Sequence, residues 1–147
     1  MTVILGLTGS VAMGKSTVAS QCRFLGAAVF DADREVHRLL AHDRPIIAAV
    51  AARFPQAVCH GAVDRRALGR CVFDDDAAMN ALEDILHPAV RHGERRAIRL
   101  ARLRGVPWLV LDIPLLFETG ADTLCDAVMV VTAPGFIQWQ RLRRRVV

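Results

Sequence analysis

A parallel α/β sheet flanked by helices is the architecture this sequence predicts, and three observations carry it. Short β-like apolar runs alternate with longer helical patterns along the chain. The run Gly9-Ser10-Val11-Ala12-Met13-Gly14-Lys15-Ser16 fits the phosphate-binding pattern G-x-x-x-x-G-K-[ST] between a strand and a helix. Acidic residues follow the apolar runs at Asp31, Asp33 and Asp112, where parallel sheets gather ligands.

In chain order, Val3-Ile4-Leu5 reads as a buried strand, and a helix begins at Thr17-Val18-Ala19 with Val18, Cys22 and Leu25 as its apolar stripe. Gly26 ends that helix, Ala28-Val29-Phe30 forms a second strand, and Asp33 to Ala41 is helical. The stretch 45–104 is mostly α, broken at Arg44-Pro45 and Gly61. Met79, Leu82 and Leu86 share one apolar face, and Pro88 opens a further helix that Gly105 ends. Trp108-Leu109-Val110-Leu111 and Ala127-Val128-Met129-Val130-Val131 are continuous apolar runs, as expected of strands covered on both faces. Ala133-Pro134-Gly135 leads into a last helix. The chain thus reads as one domain, 1–147, with a core of 1–43 and 106–147 and a helical insertion of about 44–105.

The Gly9–Ser16 run has a physical reason for its residue types. The first N–H groups of a helix lack intrahelical partners and lie at the positive end of its dipole, so a loop wrapped there encloses a phosphate with donors. Gly9 and Gly14 allow close approach and unusual backbone angles, and Thr17 continues into the helix. Lys15, the chain's only lysine, would span the β- and γ-phosphates of a nucleoside triphosphate, and the Ser16 hydroxyl would take a position on Mg²⁺. Asp112 reads either as a carboxylate near that Mg²⁺, directly or through water, or as an ordinary strand-end cap. Asp33 reads as a site residue or as the N-cap of the helix that follows.

Composition fits a compact cytoplasmic enzyme: 147 residues, 53% hydrophobic, with no apolar run approaching the roughly 20 residues that cross a bilayer. Cys22, Cys59, Cys71 and Cys125 are scattered, so neither a disulfide framework nor a zinc site is expected. The net charge of +4 resides in the second part of the chain. Arg91, Arg95, Arg99 and Arg102 recur at helical spacing and read as a solvated face opposite Val90, Ile98 and Ala101. Arg141, Arg143, Arg144 and Arg145 form a denser group with no interleaved aromatics, so anionic small molecules account for the charge and nucleic acid is not expected as a partner. The absence of an Asn-Lys-x-Asp segment disfavours guanine nucleotides.

With these residues stand Leu7-Thr8-Gly9, Asp31-Ala32-Asp33, Val63-Asp64-Arg65, Leu86-His87-Pro88, Leu111-Asp112-Ile113-Pro114-Leu115-Leu116-Phe117-Glu118 and Gln138-x-x-Arg141-x-x-x-Arg145. In this order and across nearly the whole chain, the set resembles dephospho-CoA kinase. The resemblance implies a P-loop NTPase-type fold with a helical substrate-binding insertion. It also implies transfer of the γ-phosphoryl group of ATP to the ribose 3′-hydroxyl of dephospho-CoA, the last step of coenzyme A synthesis. By similarity, Asp33 orients or deprotonates that hydroxyl with Thr8 beside it, and Arg65, His87, Pro114, Leu115, Leu116 and Glu118 form the acceptor site. Arg141 and Arg145 lead into a lid that starts at about 141–147, where guanidinium groups neutralise the transferred phosphoryl. The family pattern departs here at Ser10 and Ala12, where glycines are usual, and at Met13. A left-handed backbone at Ala12 would cost about 1–2 kcal/mol. The resemblance further implies a strand and closing helix beyond Val147, without which a sheet edge lies uncovered, a route to aggregation. The alternative reading is a non-catalytic nucleotide-binding remnant lacking the lid and adenine contacts.

Overall fold

The structure, a computed structural model, describes residues 1–145. It divides into two compact units, Met1–Ala32 with the chain from Arg96 onward, and Asp33–Arg95.

The first unit is built on a four-stranded parallel sheet. Its strands are β1 (Val3–Thr8), β2 (Ala28–Asp31), β5 (Trp108–Asp112) and β6 (Ala127–Val130), in the order β2-β5-β1-β6. Helix α1 (Lys15–Phe24) connects β1 to β2, and α6 (Gly135–Arg145) follows β6. The chain leaves β1 toward β2 on one side and later passes from β5 across β1 to β6. The carboxyl end of β1 therefore lies where the connections diverge, the crevice in which such sheets hold ligands. Register places Asp112 beside both Leu7 and Asp31, so the acidic strand ends line up. Leu7, Ala19 and Val110 form a buried cluster, with Val18, Cys22 and Val29 packed against it.

Several expectations for this unit need correction. Leu25 is exposed instead of completing the α1 stripe. Among the described residues β6 lies at the edge of the sheet, and its Met129 and Val130 are exposed, so the strand is not covered on both faces. Trp108 is half exposed at the start of β5. On α6 Trp139 is exposed, with the Arg143 guanidinium 4.4 Å from its ring centroid one helical turn on.

The second unit holds α2 (Ala32–His42), which starts one residue earlier, then α3 (Arg44–Arg53), a hairpin of β3 (Val58–Cys59) and β4 (Ala62–Val63), α4 (Arg65–Val72) and most of α5 (Asp76–Leu103). Aspartates start three of these helices. Asp43 accepts from the Ile46 N–H at 3.1 Å, Asp64 from the Arg66 and Ala67 N–H groups, and Asp75 from the Ala78 N–H. Those backbone bonds hold the Asp64 carboxyl below the usual carboxylate range. The core gathers Leu40, Val50, Phe54, Leu68, Leu82 and Leu86.

Within the expected α region the hairpin is new: His60 and Gly61 both have positive φ, 52° and 74°, the pair that a two-residue type I′ turn requires. Pro88 lies inside α5 and opens no new helix. Proline removes one i→i−4 bond, but Asp84 and Pro88 are both exposed, so water can satisfy the freed carbonyl. Met79 is exposed, and Ala78 takes its place on the apolar face with Leu82 and Leu86. The solvated arginine face is as expected: Arg91, Arg95, Arg99 and Arg102 are exposed.

Candidate functional site: a phosphate loop at the end of the first strand

Residues 9–14 form the loop between β1 and α1. Gly14 caps α1 in the left-handed region, with φ 100° and ψ 15°, a conformation for which glycine carries no steric cost. Gly9 is required for a different reason: a Cβ there would lie 2.8 Å from the Val131 carbonyl oxygen. Between them the Met13 N–H donates to the Ser10 carbonyl at 3.2 Å, closing a four-residue turn. Ala12 is its third residue and has φ 62°, so the left-handed backbone considered from sequence is present. Positive φ at that position, with Val11 not among the positive-φ residues, matches a type II turn, whose third residue is normally glycine.

Lys15 begins α1, and its ammonium pairs with the Asp112 carboxylate at the end of β5. Asp112 is 5% exposed, so this is a sheltered ion pair rather than a surface contact. Beyond the two readings of Asp112, metal carboxylate or strand-end cap, the structure adds a third contact: the carboxylate holds the lysine of the phosphate loop. Ser16 and Thr17 follow, both exposed at the helix start. Thr8 ends β1 and donates its hydroxyl to the Pro114 carbonyl at 2.9 Å, while the Ile113 N–H donates to the Leu7 carbonyl. The 113–118 segment is thereby fastened to the strand that delivers the loop. In it Leu115 and Glu118 are exposed, Pro114 is half-buried, and Leu116 is fully buried close to Gly6, anchoring the segment in the core.

Helix α6 reaches the loop from its outer side. Gln138 Nε2 donates to the Val11 carbonyl at 2.9 Å, and Arg141 Nη1 donates to the Ala12 carbonyl at 3.1 Å. The Ala133 N–H, in the connection from β6 to α6, points to Met13 Sδ at 3.0 Å. Sequence reasoning assigned no role to Gln138 or to the Met13 sulfur. The available signals were the place of Gln138 in the Gln138-x-x-Arg141-x-x-x-Arg145 set and the three-residue spacing that puts Gln138 and Arg141 on one helix face. Arg145 ends α6, and its side chain, like Val146 and Val147 of the expected lid, lies outside what the structure describes.

In the second unit, Asp33 is exposed within the first turn of α2, past the helix start, so it is not the N-cap. Arg65 is exposed at the start of α4 and lines an open hollow of about 550 Å³ with Val63, Asp64 and Arg66. His87 is exposed on α5. Glu94 was not foreseen: it is 3% exposed, and its Oε2 has no hydrogen-bond partner among the described residues. Burial pushes its carboxyl above the usual range, partly opposed by Arg91, Arg95 and His87.

Set beside known proteins, the chain matches the family model described as dephospho-CoA kinase over residues 3–146. The chain belongs to the dephospho-CoA kinase family. Among curated relatives, the dephospho-CoA kinase of Paramagnetospirillum magneticum is 53% identical over 142 residues, spanning 97% of this chain and 67% of the relative. That of Rhodospirillum rubrum is 50% identical, spanning 97% and 68%. The crystal structure of TT1252 from Thermus thermophilus superposes with a TM-score of 0.80 at 38% identity, covering 97% of this chain and 72% of the other. A dephospho-CoA kinase from Campylobacter jejuni shares the fold, with a TM-score of 0.68 at 19% identity over 99% and 96% of the two chains. Among the described residues no helix is long and apolar enough to cross a membrane.

Proposed function

We propose that the chain transfers the γ-phosphoryl group of ATP to the ribose 3′-hydroxyl of dephospho-CoA. The observation that carries this reading is the loop capped by left-handed Gly14, with its only lysine held by Asp112 at the end of the neighbouring strand. The family membership supports the choice of acceptor.

Phosphoryl transfer needs aligned oxygens and positive surroundings more than covalent participation of the protein. Amides of residues 9–17 enclose the triphosphate tail, and Lys15 bridges its β- and γ-phosphates. The 3′-oxygen forms a bond to the γ-phosphorus as the bond from that phosphorus to the bridging oxygen breaks, and ADP leaves with the electron pair. Asp33 takes the hydroxyl proton, with the Thr8 hydroxyl at the strand end as an orienting group. Arg141 and Arg145 supply positive charge to the phosphoryl in flight. Arg65, His87, Pro114, Leu115 and Glu118 contact the acceptor, and buried Leu116 fixes the segment that carries three of them.

Magnesium fits the residues present. Ser16 and Asp112 offer hard oxygen donors, and an ion carried in by phosphates needs only one or two from the protein, the rest being water. Once bound with the nucleotide, the ion would neutralise charge on the β- and γ-oxygens.

The test is turnover of ATP and dephospho-CoA with magnesium, for the parent chain beside Lys15→Ala and Asp33→Asn. Lys15→Ala is expected to lose about 100-fold or more in turnover. Asp33→Asn is expected to lose about 100-fold while ADP affinity is retained. Equal product from all three proteins rejects the site assignment.

A further inference from the structure

The phosphate loop contains a conformational liability that α6 offsets. In a turn with positive φ at its third residue, the central peptide, here Val11–Ala12, is turned over relative to the common type I turn. Ala12 carries a Cβ, so this orientation is strained at its φ of 62°, and turning the peptide over would relieve it. Gln138 donates to the carbonyl of that same peptide at 2.9 Å, and Arg141 to the next carbonyl at 3.1 Å. Because the peptide is planar and trans, fixing the Val11 carbonyl toward α6 fixes the Ala12 N–H on the opposite side.

We propose that Gln138 is a positioning residue for the nucleotide: its amide holds the Val11–Ala12 peptide in the strained orientation that presents the Ala12 N–H to phosphate. This rests on the phosphate-loop reading above. The tether matters in this chain because alanine stands at residue 12. Glycine there would adopt the same orientation without strain and would depend less on Gln138. The helix bearing Arg141 thus also sets the shape of the loop beneath it.

The experiment is a double-mutant cycle read by calorimetric titration of ADP with magnesium, using the parent chain, Gln138→Ala, Ala12→Gly and the double variant. Gln138→Ala is expected to weaken ADP binding about fivefold, the value of one hydrogen bond to a backbone carbonyl. In the Ala12→Gly background the same change is expected to cost less than about twofold, a coupling that a merely structural role for Gln138 would not produce. Gln138→Asn, one methylene short of the carbonyl, is expected to behave like Gln138→Ala. Unchanged ADP affinity in Gln138→Ala, or an equal loss in both backgrounds, overturns the proposal. Lys15→Ala runs alongside: if it binds ADP as the parent does, the phosphate-loop reading fails first and separately.

Discussion

Gly9→Ala probes the junction between β1 and the phosphate loop by sterics alone, since Gly9 does not have positive φ. The added Cβ would meet the Val131 carbonyl oxygen at 2.8 Å and the Val131 Cβ at 3.4 Å. The first contact is about 0.6 Å inside the ordinary range, and its partner is backbone held by the Val131 N–H bond to the Thr8 carbonyl. Neither side can rotate away, so β1 and the strand end beside it must separate. Overpacking of this kind costs about 1–3 kcal/mol. At a central value of about 2 kcal/mol, a chain of this size loses about 4–8 °C in Tm. Thermal melts followed by circular dichroism without nucleotide isolate the effect from binding. Gly69→Ala is the matching control: it lies inside α4 with nothing within 4 Å of an added Cβ, and is expected to gain about 0.5–1 kcal/mol from helix propensity. A Gly9→Ala protein melting within about 1 °C of the parent would refute the close approach of Val131 to the loop.

Ala12→Gly relieves about 1–2 kcal/mol of backbone strain but gives up a buried methyl worth about 0.8 kcal/mol and adds unfolded-state freedom worth about 0.4–1 kcal/mol. The terms nearly cancel, so Tm is expected to stay within about 3 °C of the parent, and a loss beyond about 6 °C would show that the methyl packs more than it strains. Glu94 gives a pH-dependent effect. Its folded carboxyl is raised above the unfolded value, so its favourable contribution is full below the unfolded pKa and is lost as pH rises through the raised value. Relative to the parent, Glu94→Gln is therefore expected to be more stable at pH 8 than at pH 5. A Tm difference between the two proteins that does not change over that range contradicts the buried-carboxylate argument.

The parts of the molecule that were legible in the sequence are those whose chemistry is local. Gly9, Gly14, Lys15 and Ser16 declare a strand, loop and helix together, because a phosphate cradle needs all three within a few residues. Asp112 was found as the acid ending an apolar run, but its grip on Lys15 arises from sheet order, which places β5 beside β1. The hairpin at His60-Gly61 was visible only as a break, since strands of two residues carry too little alternation to register. Pro88 misled because proline is a sound helix-start signal in general, and its toleration here depends on exposure that spacing does not encode. The contact of Gln138 with Val11 joins residues 127 positions apart, beyond any local pattern. The exposure of Met129 and Val130 was hidden for a related reason: a continuous apolar run describes a strand, not what covers its faces.

The pairing of Lys15 with Asp112 has a practical corollary. Acylating reagents find one side-chain amine in this sequence, that of its sole lysine. The Lys15 side chain is 17% exposed and engaged with the Asp112 carboxylate. Only its deprotonated, released form is nucleophilic, so the rate of acylation at Lys15, followed by peptide mass, reports the fraction of molecules in which the amine is free of the carboxylate.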